Sequence, residues 1–139
     1  MSQGLLHVSE RHHAGLIFML ALAKQYGVNQ EDYLTLQQVS GDMPISSGYL
    51  EEIVSLFKQA GLIEGRTGPR GGYRLACGPK EVSLQRVFEA LDGPVRLVAC
   101  QHRELDCPAH ASCASRTVWD ELRLEWQRML SQKWLGDML

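Results

Sequence analysis

Glycine and proline are concentrated in a short stretch near the middle of the chain. Residues 62–75 contain four glycines and one proline between two β-prone ends. Because glycine and proline favour turns, and β-prone ends favour pairing, this stretch predicts a β-hairpin with a flexible tip. The tip carries two cations, Arg66 and Arg70. Any fold of this chain must therefore present a cation-bearing, glycine-rich loop.

Apolar residues recur at helical spacing on both sides of this hairpin. Five helices are predicted, over residues 12–26, 34–39, 47–60, 83–91 and 115–133. The first is apolar on every side, which is typical of a helix buried in a core or between subunits. Ser46 and Ser47 are candidate N-caps of the third helix, and Gly61 ends its pattern. The predicted fold class is mainly α with a small β-hairpin wing.

Composition allows one compact domain with a helical appendage. The chain has 139 residues, of which 45% are hydrophobic and 22% charged, so it supports a folded core. Its longest non-polar run, residues 14–23, is half of the roughly 20 residues that span a bilayer, so we expect a cytoplasmic protein with no membrane partner. No nucleotide-binding glycine loop or hydrolase motif is present, so we expect no enzyme activity. The net charge of −2 means that any DNA-binding surface is local.

The order helix, turn, helix and hairpin is that of a winged helix-turn-helix, whose second helix enters the major groove of DNA. Ser46, Ser47 and Tyr49 carry hydroxyls at the start of that helix, where they can bond phosphates or base edges. Glu51 can accept a hydrogen bond from a cytosine amino group. The alternative is that Ser46 and Ser47 only cap the helix.

The hairpin tip predicts a second contact with DNA. Its glycines let the backbone approach closely, and Arg66 and Arg70 are long enough to enter a minor groove. We therefore expect Arg66, Pro69, Arg70 and Gly71 in the interface. The alternative is that both arginines are only solvated.

Four stretches of the sequence occur together in a specific order. They are ISSGYLE at 45–51, AGLI at 60–63, GPRGGYRL at 68–75 and ALDGP at 90–94. With them the chain resembles the Rrf2 family of bacterial transcription regulators, which includes the iron-sulfur cluster assembly regulator and the nitric-oxide-sensing repressor. The similarity extends from about residue 5 to residue 135. It implies a winged helix-turn-helix DNA-binding domain at residues 1–80, and a cluster-binding loop with a long dimerisation helix at residues 81–139.

The glycine-rich tip departs from the family pattern at two positions. Thr67 stands where the family has an arginine, and Arg70 replaces a later glycine. We therefore expect Arg70 or Arg66 to take over the minor-groove contact that the resemblance implies.

Three of the four cysteines lie close together in the second half of the chain. Cys100, Cys107 and Cys113 are separated by six and then five residues. Zinc ribbons use two-residue gaps, whereas a longer loop of soft thiolates suits an iron-sulfur cluster. Thiol redox sensing without metal and three inert cysteines are the alternatives. Cys77 lies outside this loop, and we expect it to be a small apolar filler.

Three cysteines leave one coordination position of a cluster open. The residues themselves offer several candidates, which are His12, His13, His102, His110, Glu10 and Asp106. The resemblance implies either a histidine shortly after the last cysteine, where Arg116 stands instead, or a residue near the start of the partner subunit's first helix. Aligning Ala14 with the family's helix-one alanine puts His12 at that second position. The cluster is expected to be 2Fe-2S or 4Fe-4S, and a capping or surface role is the alternative for His12.

The last predicted helix and its end carry Trp119, Trp126 and Trp134. Aromatic anchors are enriched at interfaces, so we expect a homodimer that reads a near-palindromic DNA operator. The alternative is a helix folded back over its own core. Cluster binding or loss would shift the two DNA-binding heads relative to one another. The expected function is an iron-sulfur transcription regulator that senses redox state, nitric oxide or iron, or alternatively a cluster-free regulator controlled by its thiols or by a protein partner.

Overall fold

The computed structural model describes residues 8–41, 46–98, 101 and 112–139. The α-helices are α1 (Glu10–Val28), α2 (Leu36–Ser40), α3 (Ser47–Gln59), α4 (Leu84–Asp92) and α5 (Arg116–Ser131). Two strands, β1 (Ile63–Arg66) and β2 (Gly72–Leu75), form an antiparallel hairpin. Short 3-10 turns cover Pro79–Glu81 and Leu135–Met138. The predicted fold class, mainly α with a small hairpin, is confirmed.

Helix α1 runs through the centre of the core. It begins at Glu10, two residues before the predicted start, because the Ser9 hydroxyl caps it and accepts a hydrogen bond from the His12 amide at 3.4 Å. One face is fully buried and includes Phe18 and Leu22. The opposite face, which includes Leu20, is only half-buried. The prediction that α1 is a core helix is confirmed. Within the described part of one chain, however, α1 is not buried on every side.

A glycine allows α1 and α4 to approach closely. A Cβ atom on Gly15 would lie 2.6 Å from Leu91 Cδ1 and 3.1 Å from Phe57 Cζ, so a larger residue would have to displace these two buried side chains. Leu91 is buried at the end of α4, and Gly93 with a φ of +77° caps that helix. The start of the segment that leads to the cysteines is therefore held against α1.

A third stretch of backbone braces the hairpin. Tyr73 on β2 exchanges two hydrogen bonds with Leu34, with N···O distances of 2.7 and 2.8 Å. Gly72 makes this pairing possible, because its φ is +139° and a Cβ there would lie 2.3 Å from the Leu34 carbonyl oxygen. The residues before α2 thus fix the hairpin to the core.

The C-terminal residues return to the same core after α5. Leu135 is fully buried, and its amide donates to the Val82 carbonyl at 2.9 Å. The Leu84 amide donates to the Lys133 carbonyl at 2.8 Å. Helix α5 ends at Ser131, two residues before its predicted limit. Core residues therefore come from both sides of position 80. The functional division at that position stays a prediction.

Candidate nucleic-acid interface

The start of α3 is capped and faces outward. The Ser46 hydroxyl accepts a hydrogen bond from the Tyr49 amide at 3.3 Å. Ser46 therefore does cap α3, as the alternative interpretation predicts. Its side chain is nevertheless exposed and keeps hydrogen-bonding capacity for a further partner. The side chain of Ser47 lies outside what the structure describes. The first turn of α3 carries the positive end of the helix dipole, which attracts phosphate.

One face of α3 is buried in the core, and the other is exposed to solvent. Four apolar residues, Leu50, Ile53, Val54 and Phe57, are buried in or against the core. Tyr49, whose hydroxyl is predicted to bond DNA, is half-buried and packs against the core, so part of its side chain serves packing. Glu51 is exposed, and it has no hydrogen-bond or ion-pair partner among the described residues. Its carboxylate is therefore available for the predicted base contact.

Sequence reasoning missed an ion pair between α1 and α3. The Arg11 guanidinium donates to the Glu52 carboxylate at 2.8 Å and to the Leu91 carbonyl at 3.4 Å. Arg11 and Glu52 are 41 positions apart, and no local pattern links them. Only the packing of α1, α3 and α4 brings the three groups together.

The hairpin ends in a tight turn that presents Arg70. The Gly71 amide donates to the Gly68 carbonyl at 3.0 Å, which places Pro69 and Arg70 at the two central positions of the turn. Gly68 has a φ of +101°, and a Cβ on Gly71 would lie 2.2 Å from the Arg66 carbonyl oxygen. Arg70 is exposed at this tip and has no ionic or hydrogen-bonded partner within the described ranges.

The second predicted cation of the hairpin rests on an aromatic ring. The Arg66 guanidinium lies 5.9 Å from the centre of the Tyr33 ring, and Arg74 lies 4.6 Å from the same centre. Arg74 also pairs with Glu64 at 3.2 Å and with Glu31 at 3.6 Å. The hydrogen bond to Glu64 is the main cause that raises the Arg74 pKa further. Arg66 forms no ion pair among the described residues, so its charge remains available at the surface.

Tyr33 is a second residue that sequence reasoning missed. It lies in the segment that braces the hairpin, directly before Leu34, and its ring supports Arg66. A lone tyrosine in a loop carries no signal that would have identified it from the sequence.

The structure describes only part of the predicted metal-ligand set. Cys100, Cys107, His102, His110 and Asp106 lie outside the described residues. Cys113 is exposed, and its Sγ lies 3.2 Å from Ser115 Oγ. That side-chain hydrogen bond, followed by backbone hydrogen bonds from Ser115 and Arg116, lowers the pKa of the Cys113 thiol. A thiol with a lowered pKa is a better metal ligand and a more reactive nucleophile.

His12 lies at the start of α1 in a half-buried position. Its Nδ1 lies 2.5 Å from Ser9 Oγ, and its ring meets the edge of Phe88 with 5.1 Å between centres. Burial lowers the pKa of His12, while the charge of Asp92 raises it and that of Arg11 lowers it. The lowered pKa favours the neutral ring, and Nε2 has no hydrogen-bond partner among the described residues. His13 and Glu10, the described alternatives, are both exposed.

A groove of about 560 Å³ runs beside His12. One wall is formed by Ser9, His12 and Phe88, and Trp126 of α5 contributes to the lining. The other wall is residues 92–97, which lead directly toward Cys100. Within the described residues, no three potential metal ligands lie together. The structure therefore places His12 near the start of the cysteine-bearing segment of its own chain, and it does not join His12 to Cys113.

Comparison with known proteins consistently finds similarity to transcriptional regulators. The family described as "Rrf2: Iron-dependent Transcriptional regulator" matches residues 8–139. The HTH-type transcriptional regulator IscR of Aliivibrio salmonicida (strain LFI1238) is 33% identical over 110 residues, covering 79% of this chain. The same alignment covers 65% of that relative, so the chain spans less than two thirds of its length.

Two solved structures share the fold over nearly the whole chain. CymR (YrzC), the global cysteine regulator of B. subtilis, superposes with a TM-score of 0.75 and 29% identity, covering 96% of each chain. T. potens IscR gives a TM-score of 0.76 and 25% identity, covering 96% of this chain and 86% of that one. Among the described residues, none of the helices combines the length and apolar character needed to cross a bilayer.

Proposed function

The chain belongs to the Rrf2 family of transcriptional regulators, and from that premise we propose that it binds operator DNA as a homodimer and controls transcription in the cytoplasm. The family resemblance expected from the sequence motifs is thereby confirmed, and the family is one of regulators rather than enzymes. The observation that carries the proposal is the outward-facing start of α3 together with an adjacent hairpin whose tip presents Arg70, which has no ionic partner in the part of the chain that the structure describes.

The DNA contacts divide between the helix and the hairpin. Helix α3 enters the major groove, where Ser46 and Ser47 bond phosphates and Glu51 accepts from a cytosine amino group. The turn at Pro69 and Arg70 enters the minor groove, where a narrow width concentrates negative potential and favours arginine. Because the whole chain carries a net charge of −2, these few cations supply the local attraction.

Helix α5 supports the homodimer. Val118, Leu122, Trp126 and Met129 lie at spacings of four, four and three residues, which puts them on one helical face. All four are exposed in the single chain, from 38% for Trp126 to 54% for Val118. An exposed apolar face of this extent is typical of a protein interface. Two chains joined through it would present two α3 helices to a near-palindromic operator.

The regulatory site would hold an iron-sulfur cluster through Cys100, Cys107, Cys113 and His12. The described donors fit this role chemically, because the thiol pKa of Cys113 and the ring pKa of His12 are both lowered, and Nε2 of His12 has no partner among the described residues. When bound, such a cluster supplies a centre that responds to oxidants, nitric oxide or iron supply. Ser9 and Phe88 orient the His12 ring, and a nitrogen ligand is easier to displace than a thiolate.

A second candidate is a cluster-free regulator that senses through its thiols. The exposed Cys113 with its lowered pKa favours this function, since thiolate character and access promote oxidation. The similarity to the solved structure of CymR, a global cysteine regulator, over 96% of both chains also supports this second candidate.

One set of measurements distinguishes these functions. The protein is purified without oxygen, its absorption is recorded between about 300 and 600 nm, and its iron and sulfide are determined. A duplex selected from a random pool then serves as the DNA probe. Coloured, iron-containing protein whose DNA affinity changes on iron loss supports the cluster. Colourless protein whose affinity changes on thiol oxidation supports the second candidate, and a failure to select any duplex refutes DNA binding.

Matched variants test the ligands. Cys107→Ala should abolish the absorption bands, and His12→Ala should shift them or increase their oxygen sensitivity, whereas the neighbouring His13→Ala should change neither. A His12→Ala spectrum identical to that of the parent would refute His12 as a ligand.

A further inference from the structure

Arg11 occupies a junction between three helices. Its guanidinium belongs to the first turn of α1, donates to Glu52 on α3 and reaches the Leu91 carbonyl on α4. The Arg11 side chain is 33% exposed and that of Glu52 is 55% exposed. A cation held from two sides in a half-buried position keeps a defined direction, unlike a freely solvated surface arginine.

Glu52 lies on the outward face of α3. At 100° per residue, it lies opposite the buried residues Leu50, Val54 and Phe57, and it shares the exposed side of α3 with Gly48, Glu51 and Ser55. Gly48 and Ser55 are both exposed. The face that meets DNA in the proposed function therefore includes this carboxylate.

A free carboxylate at this place would oppose DNA binding. Each phosphate carries a negative charge, and a like charge brought against the backbone lowers affinity. Glu51 on the same helix already contributes one carboxylate that has no ion-pair partner among the residues described. A second free carboxylate, that of Glu52, would add to the repulsion from the DNA phosphates, and the chain has no overall basic excess to offset it.

We propose that Arg11 is a positioning residue that neutralises Glu52 and holds its carboxylate back from the DNA phosphates. Arg11 does not itself touch DNA in this proposal, because its two terminal nitrogens are directed toward Glu52 and the Leu91 carbonyl. The inference rests on the proposed DNA binding and adds a specific electrostatic requirement to it. The Leu91 contact makes this requirement depend on the position of the end of α4, directly before the cysteine-bearing segment.

Four proteins test the proposal through their affinity for one selected duplex: the parent, Arg11→Gln, Glu52→Gln and the double variant. Arg11→Gln should bind at least about fivefold more weakly at low salt, because it exposes the charge of Glu52. Glu52→Gln should bind as well as the parent or more tightly. The double variant should return to within about twofold of Glu52→Gln, since no carboxylate remains to be neutralised.

Two results would overturn the inference. If the double variant binds as weakly as Arg11→Gln, then Arg11 contacts DNA directly or supports the fold, and its action on Glu52 is refuted. If Arg11→Gln binds like the parent, no neutralisation is needed. Lys133→Gln removes an equal charge from an exposed position after α5 and serves as the matched control, and thermal unfolding verifies that all variants are folded.

The failure of this inference differs from the failure of the proposed function. A parent protein that binds no duplex refutes DNA binding itself. A parent that binds, with the effects of Arg11→Gln and Glu52→Gln simply additive, refutes only the coupling between these two residues.

Discussion

Substituting Gly72 by alanine tests the brace that holds the hairpin to the core. Gly72 has a φ of +139°, and an added Cβ would lie 2.3 Å from the Leu34 carbonyl oxygen and 2.8 Å from the Thr35 nitrogen. These are backbone atoms, so the clash cannot be relieved by rotation of a side chain. The segment that contains Leu34 must move away from β2.

The magnitude follows from two terms. A non-glycine residue in such a backbone conformation costs on the order of 1–3 kcal/mol. Separation of the strands also weakens both hydrogen bonds between Leu34 and Tyr73, each of which contributes roughly 0.5–1.5 kcal/mol. We therefore expect Gly72→Ala to lower the free energy of unfolding by about 2–6 kcal/mol.

Urea unfolding at one fixed protein concentration measures this change, because dimerisation makes apparent stability depend on concentration. Gly27→Ala is the matched control, since a Cβ at this helical position meets nothing within 4 Å. The control should gain up to about 1 kcal/mol from helix propensity. A free energy of unfolding for Gly72→Ala within about 0.5 kcal/mol of the parent would show that the brace does not constrain the hairpin.

Three further changes test other parts of the molecule. Arg70→Ala should weaken binding to a selected duplex and reduce the slope of log affinity against log salt by about one, and an unchanged salt titration would reject the contact. Leu122→Glu, on the exposed apolar face of α5, should yield monomers in analytical ultracentrifugation, whereas Glu121→Gln should leave the mass unaltered; a dimeric Leu122→Glu would place the interface elsewhere. Leu135→Ala should lower the unfolding free energy by about 2–5 kcal/mol, because the buried side chain leaves a cavity, and a loss under about 1 kcal/mol would mean that the C-terminal turn is not part of the core.

Several elements could be predicted because their causes are local. Ser83 caps α4 by accepting from the Arg86 amide at 3.2 Å, and the predicted helix at 83–91 matches Leu84–Asp92 within one residue. The hairpin was predicted from its glycines and proline, and its turn does place Arg70 at the tip. Helix α1 begins two residues before the start that its apolar pattern predicts, because Ser9 caps it.

The candidate site was predicted unevenly for the same reason. Arg66 and Arg70 could be identified from the sequence, because charged residues in or beside a glycine-rich turn are recognisable from their neighbours. The ring of Tyr33 beneath Arg66 was missed, because that contact joins segments far apart in the chain. The DNA-contact and metal-ligand roles stay predictions, and of the four proposed ligands the described residues include only Cys113 and His12.

The sequence by itself determined the properties that depend on a few consecutive residues: helical periodicity, helix caps, the tight turn of the hairpin and the family motifs. Backbone hydrogen bonding and local steric limits act over three or four residues, so they can be inferred from a short window. Tertiary structure alone decided that Leu34 pairs with Tyr73, that Leu135 returns to the core and that Arg11 meets Glu52. These contacts arise from close packing and from the pairing of charges across the chain, and no pattern of neighbouring residues specifies which distant partner will be reached.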